Sequence, residues 1–378
     1  MIQTKNPKVR KQVLDRIEGG YALMLDRGPA GEFLFVGSES KGGQSRLIRL
    51  DTGEVCTATD KVGGMMHILP VPGESGVYVA AMGMYAPFIG QRAAVYMLRA
   101  GAEWNSEWSV EKLFDMPFVH RLGFMHVDGA DHLLVATVSL GKESPDDWSR
   151  PGGLYAVNFT EAVARGTWEL QTVTEDIYRN HGMWAGSFDG EQSLLLSGAE
   201  GLFAIRPDSG VRGGFRLDPV IEEEISEMVA VDLDGDGVDE MVVIEPFHGH
   251  RLRVYKRGGE AGAGDRSGRW ESVWKTEDLS FAHGLNFVQC GSRPLVLVGN
   301  RRAGMELLAF DFDGLSGNGT RYVLDEGVGP TQIEQWKSNQ GTGAASRAQG
   351  SGAEGVRILS CNQGGAEVSL YEFSEADL

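Results

Sequence analysis

The chain has 378 residues, of which 42% are hydrophobic and 53 are glycine, so it can bury a large core between many tight turns. Its formal net charge of −18 at pH 7 disfavours nucleic acid and anionic membranes as partners, because their phosphates would be repelled. No apolar run approaches the roughly 18 residues of a membrane helix, and the start lacks the apolar core of a secretory signal. The 3 widely spaced cysteines indicate reduced thiols, and we therefore expect a cytoplasmic protein.

The first predicted element is a strand near the N-terminus, KVRKQVLDRI (8–17). It matches three later predicted strands, EWSVEKLFDM, TWELQTVTEDI and RWESVWKTEDL, each of which ends a repeating unit of the chain. The last unit ends one strand early, at SLYEF, and therefore lacks an outer strand of its own. We expect the N-terminal strand to fill that place, which would close the structure and remove an exposed sheet edge.

The repeating unit consists of an apolar β-rich run, a polar turn and an alternating strand. Seven such segments follow one another, at residues 32–50, 76–98, 132–157, 193–205, 240–256, 294–310 and 356–373. Their spacing of roughly 40 to 55 residues is near that of four-stranded propeller blades. We predict an all-β fold, a seven-bladed β-propeller of four-stranded blades that forms one domain over residues 1–378. A pair of β-sandwiches is the alternative.

The start of each innermost strand falls into one column of the aligned repeats. The column contains Tyr21, His67, His120, His181, Glu227, His283 and Gln332. Four of the 8 histidines of the chain lie in it, and equivalent positions of innermost strands converge on the mouth of the central channel. Imidazoles with a carboxylate and an amide suit a divalent transition metal such as Mn, Zn, Fe or Ni. We predict a metal site at the axis from the six members other than Tyr21; a polar plug of the channel is the alternative.

The turns between second and third strands should lie on the same face as this column. They contain Lys41, Tyr85, Trp148, Arg150, His248, His250, Arg301 and Arg302. Among them, His248, His250 or Tyr85 could remove a proton from a substrate. Arg301, Arg302 or Arg150 could bind a carboxylate through two hydrogen bonds, and we expect Trp148 and Lys41 to contact substrate as well. Polar turns on a surface can equally face solvent.

A calcium-loop pattern occurs once, in VDLDGDGVDEMVVIEP (231–246). It is not an EF-hand, because the twelfth position counted from Asp232 is Val243 instead of a glutamate. The pattern resembles the FG-GAP/VCBS repeat of integrin-like propellers, which binds calcium in the turn between a blade's first two strands. The resemblance implies a structural calcium site formed by Asp232, Asp234, Asp236, the carbonyl of Val238, and Glu240.

The last feature along the chain is KSNQGTGAASRAQGSGAEG (337–355), a Gly/Ser/Ala-rich stretch that we expect to be a mobile loop inserted in the last blade. The sequence leaves the oligomeric state open.

Two enzyme families show similar arrangements. A histidine-ringed metal in a seven-bladed propeller is similar to the architecture of oligogalacturonate lyases. The calcium-type turn and FAHGLNFV (281–288) resemble the propeller of aldos-2-ulose dehydratase-like sugar lyases. These resemblances imply β-elimination on a small carbohydrate that carries a keto or uronate group. An isomerase or epimerase would share the enolate step of that reaction.

A non-catalytic propeller that binds a glycan or a protein is the alternative from another functional class. The turn GMYAPFIG (83–90) is apolar enough to serve as an anchor for such a partner. The same turn could equally form the wall of a sugar pocket.

Overall fold

The computed structural model describes residues 2–28, 31–258, 268–312, 314–315, 317–337 and 355–378. Within these ranges the chain forms β-strands almost throughout, with one α-helix, α1 (Phe159–Arg165), and short 3-10 turns at Arg212–Gly214 and Glu375–Asp377. The strands are, in chain order, β1 (Ile2–Lys5), β2 (Arg10–Arg16), β3 (Gly20–Gly28), β4 (Gly31–Ser38), β5 (Ser45–Arg49), β6 (Val55–Thr59), β7 (His67–Pro70), β8 (Val77–Met82), β9 (Ala94–Arg99), β10 (Ser109–Asp115), β11 (Val119–Val127), β12 (Ala130–Thr137), β13 (Gly152–Asn158), β14 (Gln171–Ile177), β15 (Met183–Phe188), β16 (Glu191–Gly198), β17 (Gly201–Pro207), β18 (Phe215–Ile221), β19 (Glu227–Val231), β20 (Glu240–Glu245), β21 (Arg251–Arg257), β22 (Trp270–Thr276), β23 (Ala282–Cys290), β24 (Arg293–Asn300), β25 (Leu307–Phe312), β26 (Gly319–Asp325), β27 (Pro330–Gln335), β28 (Val356–Asn362) and β29 (Glu367–Phe373).

These strands form seven sheets, which are the blades of a β-propeller. From the innermost strand outwards, blades one to seven are β3–β6, β7–β10, β11–β14, β15–β18, β19–β22, β23–β26, and β27, β28, β29 and β2. The predicted closure is confirmed, since β2 pairs antiparallel with β29 and places Arg10 opposite Glu372. The all-β, seven-bladed prediction is therefore confirmed.

Blade six differs from the expected four strands. The first strand, β1, pairs parallel with β26, with Ile2 opposite Gly319 and Lys5 opposite Tyr322, so this sheet has five strands. The chain runs along the outer edge of blade six before β2 reaches blade seven. Pairing there satisfies backbone groups that β26 would otherwise present at an open edge.

The core lies between neighbouring blades. Middle strands are covered on both faces, which is why β20 (EMVVIE) is buried at every position and its four central residues are all apolar. Between blades seven and one, Leu34 and Val36 pack with Leu359 and Leu370. Burying each such aliphatic side chain stabilises the fold by roughly 1.5–3 kcal/mol. These layers hold the seven inner strands rigidly around the axis.

Two features of the prediction concern parts of the chain outside the core. Most of the stretch 337–355 that we expect to be a mobile loop lies outside the described residues, which resume at Gly355. None of the helices among the described residues has the length and hydrophobicity to span a membrane.

Candidate metal centre at one end of the channel

The histidine column converges as its spacing predicts. The starts of β3, β11 and β23 bring Tyr21, His120 and His283 together, so that the Tyr21 hydroxyl lies 3.0 Å from His120 Nε2 and 2.8 Å from His283 Nε2. His181, just before β15, packs its ring 4.4 Å from that of His120. The fifth member is His248, whose Nε2 lies 3.1 Å from His181 Nε2. Tyr21, His120, His181 and His283 are buried, and His248 is half-buried. We call these five side chains the axial cluster.

The hydrogen bonds on the outer side of the rings fix how the imidazoles are protonated. Nδ1 of His283 lies 2.8 Å from the Thr331 carbonyl oxygen, and Nδ1 of His120 lies 3.2 Å from the His181 carbonyl oxygen. Nδ1 of His181 lies 2.9 Å from Oε1 of Glu227. Carbonyl and carboxylate oxygens can only accept, so each Nδ1 must carry the proton. The Nε2 lone pairs of all three rings therefore point into the cluster.

The interior of the cluster has more hydrogen-bond acceptors than hydrogen-bond donors. Three Nε2 lone pairs converge there, but Tyr21 can donate only one proton and His248 Nε2 at most one more. At least one buried acceptor then has no donor among the protein groups of the cluster, and an unmatched buried acceptor is costly. A cation shared by several lone pairs would remove this shortage.

The geometry of the cluster fits a transition metal. One nitrogen each from His181, His248 and His283 lie within 4.8 Å of one another. Tetrahedral zinc with Zn–N bonds of about 2.0–2.1 Å places its nitrogens about 3.3 Å apart, close to the 3.1 Å between the Nε2 atoms of His181 and His248. Burial lowers the pKa of all three histidines, so they are held in the neutral form that binds metals.

Glu227 supports the cluster from outside. Its Oε1 accepts from Nδ1 of His181 and also from Arg121 Nη2, at 3.0 Å. Both side chains of the Arg121–Glu227 pair are largely buried, with 11% and 13% of their surface exposed. A carboxylate behind a metal-binding histidine orients the ring and raises its basicity. Glu227, predicted as a ligand, thus lies on the outer side of the cluster and contacts Nδ1 of His181.

Two other predicted ligands lie apart from the cluster. His67 Nδ1 accepts a hydrogen bond of 3.1 Å from the Leu122 backbone N–H, and burial lowers the pKa of His67 to about 3. The side-chain oxygen of Gln332 accepts from the Leu23 backbone N–H at 3.0 Å. Both residues bridge neighbouring blades and line the wall of the channel.

The three predicted bases have different positions. His248 belongs to the axial cluster. His250, two residues later, is exposed. Tyr85 is half-buried in the turn of blade two, where its backbone pairs with that of Ile89. The structure brings neither His250 nor Tyr85 into the cluster.

Aromatic side chains cover His248 on the face formed by the turns between second and third strands. The His248 ring lies 4.0 Å from that of Phe247 and 4.4 Å from that of Phe281. Trp148 packs edge-on against Phe247 and Phe88, both at 4.9 Å. We call Phe88, Trp148, Phe247 and Phe281 the aromatic cap. It restricts access to the cluster from this face.

The remaining predicted substrate-binding residues lie around the aromatic cap. Arg301 is half-buried, hydrogen-bonds Gln363 and lies 3.8 Å from Glu39. The guanidinium of Arg302 lies 4.4 Å from the Phe281 ring centroid. The side chains of Arg302, Arg150 and Lys41 are exposed.

A cavity of about 1460 Å³ begins on the other side of the cluster, follows the central channel and continues over the outer strands of blade six, where Lys5, Asp311 and Tyr322 line it. Tyr21 and His283 contribute to its wall at the cluster end. At the opposite end it is bordered by exposed residues from the far ends of the inner strands, such as Pro70, Ser187 and Gln289. The wide opening is therefore on the face of the turns between first and second strands, opposite the face where the sequence places the candidate substrate residues.

The calcium-type turn contains a cation of its own. Lys256 Nζ lies 2.6 Å from Asp234 Oδ2, 2.7 Å from Asp236 Oδ2 and 2.9 Å from Glu240 Oε1. Burial by itself would lower the pKa of Lys256, but its hydrogen bonds to these carboxylates raise it overall. The two oxygens of Asp232 accept from the backbone N–H groups of Gly235 and Gly237.

The remaining predicted calcium ligand, Val238, donates its backbone N–H to Asp236 Oδ1 at 2.9 Å. Gly235 and Gly237 have positive φ angles of 77° and 84°, which explains the glycines of the DGDG pattern. In this arrangement the ammonium contacts three carboxylate oxygens that a calcium ion would need, and the predicted calcium site stays a prediction.

Comparisons with known proteins agree with this fold but assign no family. No family model matches the chain, and no curated protein matches it. Among solved structures, the β-propeller domain of Cps50 (Swd1) from Myceliophteria thermophila aligns with 97% of this chain and all of its own, at 12% identity and a TM-score of 0.56. The BBS1N structure in complex with ARL6DN aligns at 12% identity and a TM-score of 0.54, over 100% of this chain and 99% of its own. A chain in the Saccharomyces cerevisiae Dbp5 complex with Nup159 and Gle1 aligns at 10% identity and a TM-score of 0.52, over 98% of this chain and 97% of its own. Identities this low show the fold alone.

Sequence reasoning placed Tyr21 in the column without a role and missed Arg121. Tyr21 is the only phenol of the column, and this difference in type was the available signal for a separate role. Arg121 directly follows His120, and successive side chains of a regular strand point to opposite faces. The pairing of β11 with β12 is irregular between Val119 and Arg121, and Arg121 lines the channel together with the column residues.

Proposed function

We propose that the protein is a metal-dependent carbohydrate lyase or dehydratase that works at the axial cluster. The observation that carries the proposal is the convergence of three imidazole lone pairs with too few protons, beside a phenol that lines an open channel. We also propose that the turn at residues 231–246 is related to FG-GAP/VCBS repeats, and that the propeller is related to that of aldos-2-ulose dehydratase-like lyases. A catalytic metal ion needs at least one coordination position that no protein ligand fills. Three histidine ligands leave at least one such position.

A divalent metal held by His181, His248 and His283 would polarise a substrate carbonyl and acidify the neighbouring C–H bond. Glu227 and Thr331 keep two of these rings in the orientation and tautomer that ligation needs. The Arg121–Glu227 pair holds that carboxylate in place from the channel side.

Tyr21 is the best-placed base. Its hydroxyl lies at the cluster and also faces the channel. Burial raises the pKa of Tyr21 to about 12, and a nearby divalent cation would lower it. His120 Nε2 lies 3.0 Å away, but burial lowers the pKa of His120 well below its usual range, so the phenol proton would leave to water in the channel when the cation binds. The phenolate then takes the proton next to the substrate carbonyl, and the C–H electron pair becomes the enolate double bond.

Elimination also needs a proton for the departing hydroxyl. Glu334 lines the same channel, and burial raises its pKa to about 7. Near neutral pH its carboxyl group therefore holds a proton part of the time and can give it to the hydroxyl as the β C–O bond breaks. The products are an unsaturated sugar and water.

The charge of the channel favours the keto sugar over the uronate. Among the described residues that line the cavity, Lys5 and Asp311 lie on outer strands of blade six. The other basic side chains are Arg121 and Arg293, and the other acidic ones are Glu227, Asp232, Asp234, Asp239 and Glu334. Arg121 is also neutralised by Glu227, and Arg293 by Asp311. A channel with an excess of carboxylates in a chain of net charge −18 repels an anionic substrate.

The test uses deuterium exchange and product absorbance together. Protein loaded with Mn²⁺ or Zn²⁺ is incubated in D₂O with a hexose-sized keto sugar or the matching uronate. We expect loss of the proton next to the carbonyl by NMR and new ultraviolet absorbance from an unsaturated product, with the keto sugar preferred. Tyr21→Phe should reduce both rates by about 10²–10⁴-fold, the usual effect of losing a general base, while Tyr85→Phe should not. If none of these sugars shows either exchange or new absorbance, the proposal is refuted.

The same experiment distinguishes the related activities. Exchange without unsaturated product, together with a rearranged sugar, would identify an isomerase or epimerase instead.

A non-catalytic binding propeller is the second candidate, favoured by exposed apolar residues near the aromatic cap. Ile89 and Met305 are 48% and 37% exposed. Glycan or protein binding that is abolished by Ile89→Asp, in a protein without exchange activity, would support this candidate.

A further inference from the structure

The turn between β19 and β20 carries the pattern of a calcium loop, but its oxygens already have partners. The three N–H groups of the Lys256 ammonium match three carboxylate oxygens, one each from Asp234, Asp236 and Glu240, at 2.6–2.9 Å. The second oxygen of Glu240 accepts from the Leu233 backbone N–H at 2.8 Å. A calcium ion needs six to eight oxygens, and here it would have to displace the ammonium to reach them.

The lysine is built into the sheet and does not reach the turn by chance. Met241 on β20 pairs with Tyr255 on β21, so the adjoining residues Glu240 and Lys256 are neighbours across the two strands. Glu240 is fully buried, and a buried carboxylate requires a compensating charge or hydrogen-bond donors. Lys256 supplies the charge from within the same blade.

We propose that the ammonium of Lys256 takes the place of calcium in this turn, so that the blade is held without an ion and a latent calcium site lies beneath the lysine. Asp232, Asp234 and Glu240 place one carboxylate oxygen each within 4.8 Å of one another, which is the arrangement the ion would use once the lysine is gone. A divalent cation and an ammonium cannot share the same oxygens, since like charges at such distances repel.

The test compares the wild type with Lys256→Met, which keeps a long apolar stem and removes the charge. Lys275→Met, on β22 of the same blade, is the matched control, because its partner Glu277 is exposed and outside the turn. Calcium binding is measured by isothermal titration, and thermal melting is recorded in EDTA and in millimolar calcium. We expect the Tm of the wild type and of the control to be the same in both buffers. Lys256→Met should melt lower in EDTA, recover in calcium, and bind calcium at least about tenfold more tightly than the wild type.

Two results would overturn the proposal: calcium binding by the wild type as tight as by Lys256→Met, or no calcium binding by either protein. If Lys256→Met does not fold in EDTA, calcium is titrated into the variant Lys256→Met/Asp236→Asn instead, because that variant has one uncompensated carboxylate fewer. The same two results would overturn the proposal. These readouts are independent of catalysis, so they leave the proposed lyase activity untouched.

Discussion

The Glu227 carboxylate connects the stability of the propeller to its candidate metal centre, and Glu227→Ala tests both. The substitution leaves the Arg121 guanidinium, 11% exposed, without its partner at 3.0 Å. Breaking a buried ion pair in this way costs roughly 3–5 kcal/mol, a large share of the 5–15 kcal/mol typical of a folded domain. Nδ1 of His181 also loses its acceptor, and losses of this kind weaken metal binding by about 10–100-fold.

The assay is urea unfolding followed by fluorescence, for which the chain provides 8 tryptophans. The double variant Arg121→Met/Glu227→Leu removes both charges and fills the space. We expect it to recover most of the lost free energy of unfolding, because replacing a buried pair by apolar groups is often neutral. A loss below about 1 kcal/mol in Glu227→Ala, or a double variant no more stable than the single one, would refute this reasoning.

Three further predictions concern the fold. Trp108→Ala should lower the free energy of unfolding by roughly 3–5 kcal/mol, since the ring is buried and stacks on Tyr78 at 4.9 Å; a loss under about 1 kcal/mol in urea unfolding would contradict this packing. Deletion of residues 1–16 should cause aggregation and a lower Tm, because it exposes the edge of β29. Deletion of residues 1–5 removes only β1 and should have a smaller effect. If light scattering and thermal melting do not distinguish the two deletions, closure by β2 is contradicted. Burial raises the pKa of Glu334 from 4.5 to about 7, so the folded state binds this proton more tightly than the unfolded state does. The free energy of unfolding of the wild type should therefore fall as pH rises between these values, and that of Glu334→Gln should fall less. Equal decreases for the two proteins between pH 4.5 and 8, measured by urea titration, would contradict the prediction.

The fold was largely predictable because each blade repeats the same alternation and the ring must close. The N-terminal strand could be placed because its pattern matches the outer strands of the other blades. The fifth strand of blade six could not, because the four residues IQTK of β1 have no periodicity and pair only through their backbone. Backbone pairing at an edge leaves little trace in a sequence.

The site was predictable only to the level of the column. Equivalent positions on inner strands must converge, so the approach of His120, His181 and His283 follows from the alignment. Which members coordinate and which only line the wall depends on side-chain directions, and these depend on bulges such as the one beside His120. His248 and Lys256 reach their places from a turn and from a neighbouring strand, which the alignment of inner strands does not include.

The claim that the axial cluster is a metal centre is tested most directly by elemental analysis. The protein is purified without a metal-affinity tag after growth with Mn, Zn, Fe and Ni, as wild type, as His181→Ala/His283→Ala and as His67→Ala. We predict about one transition-metal ion per chain in the wild type and in His67→Ala, and loss of that ion in the double variant. A metal-free wild type, or metal retained in the double variant, would contradict the account.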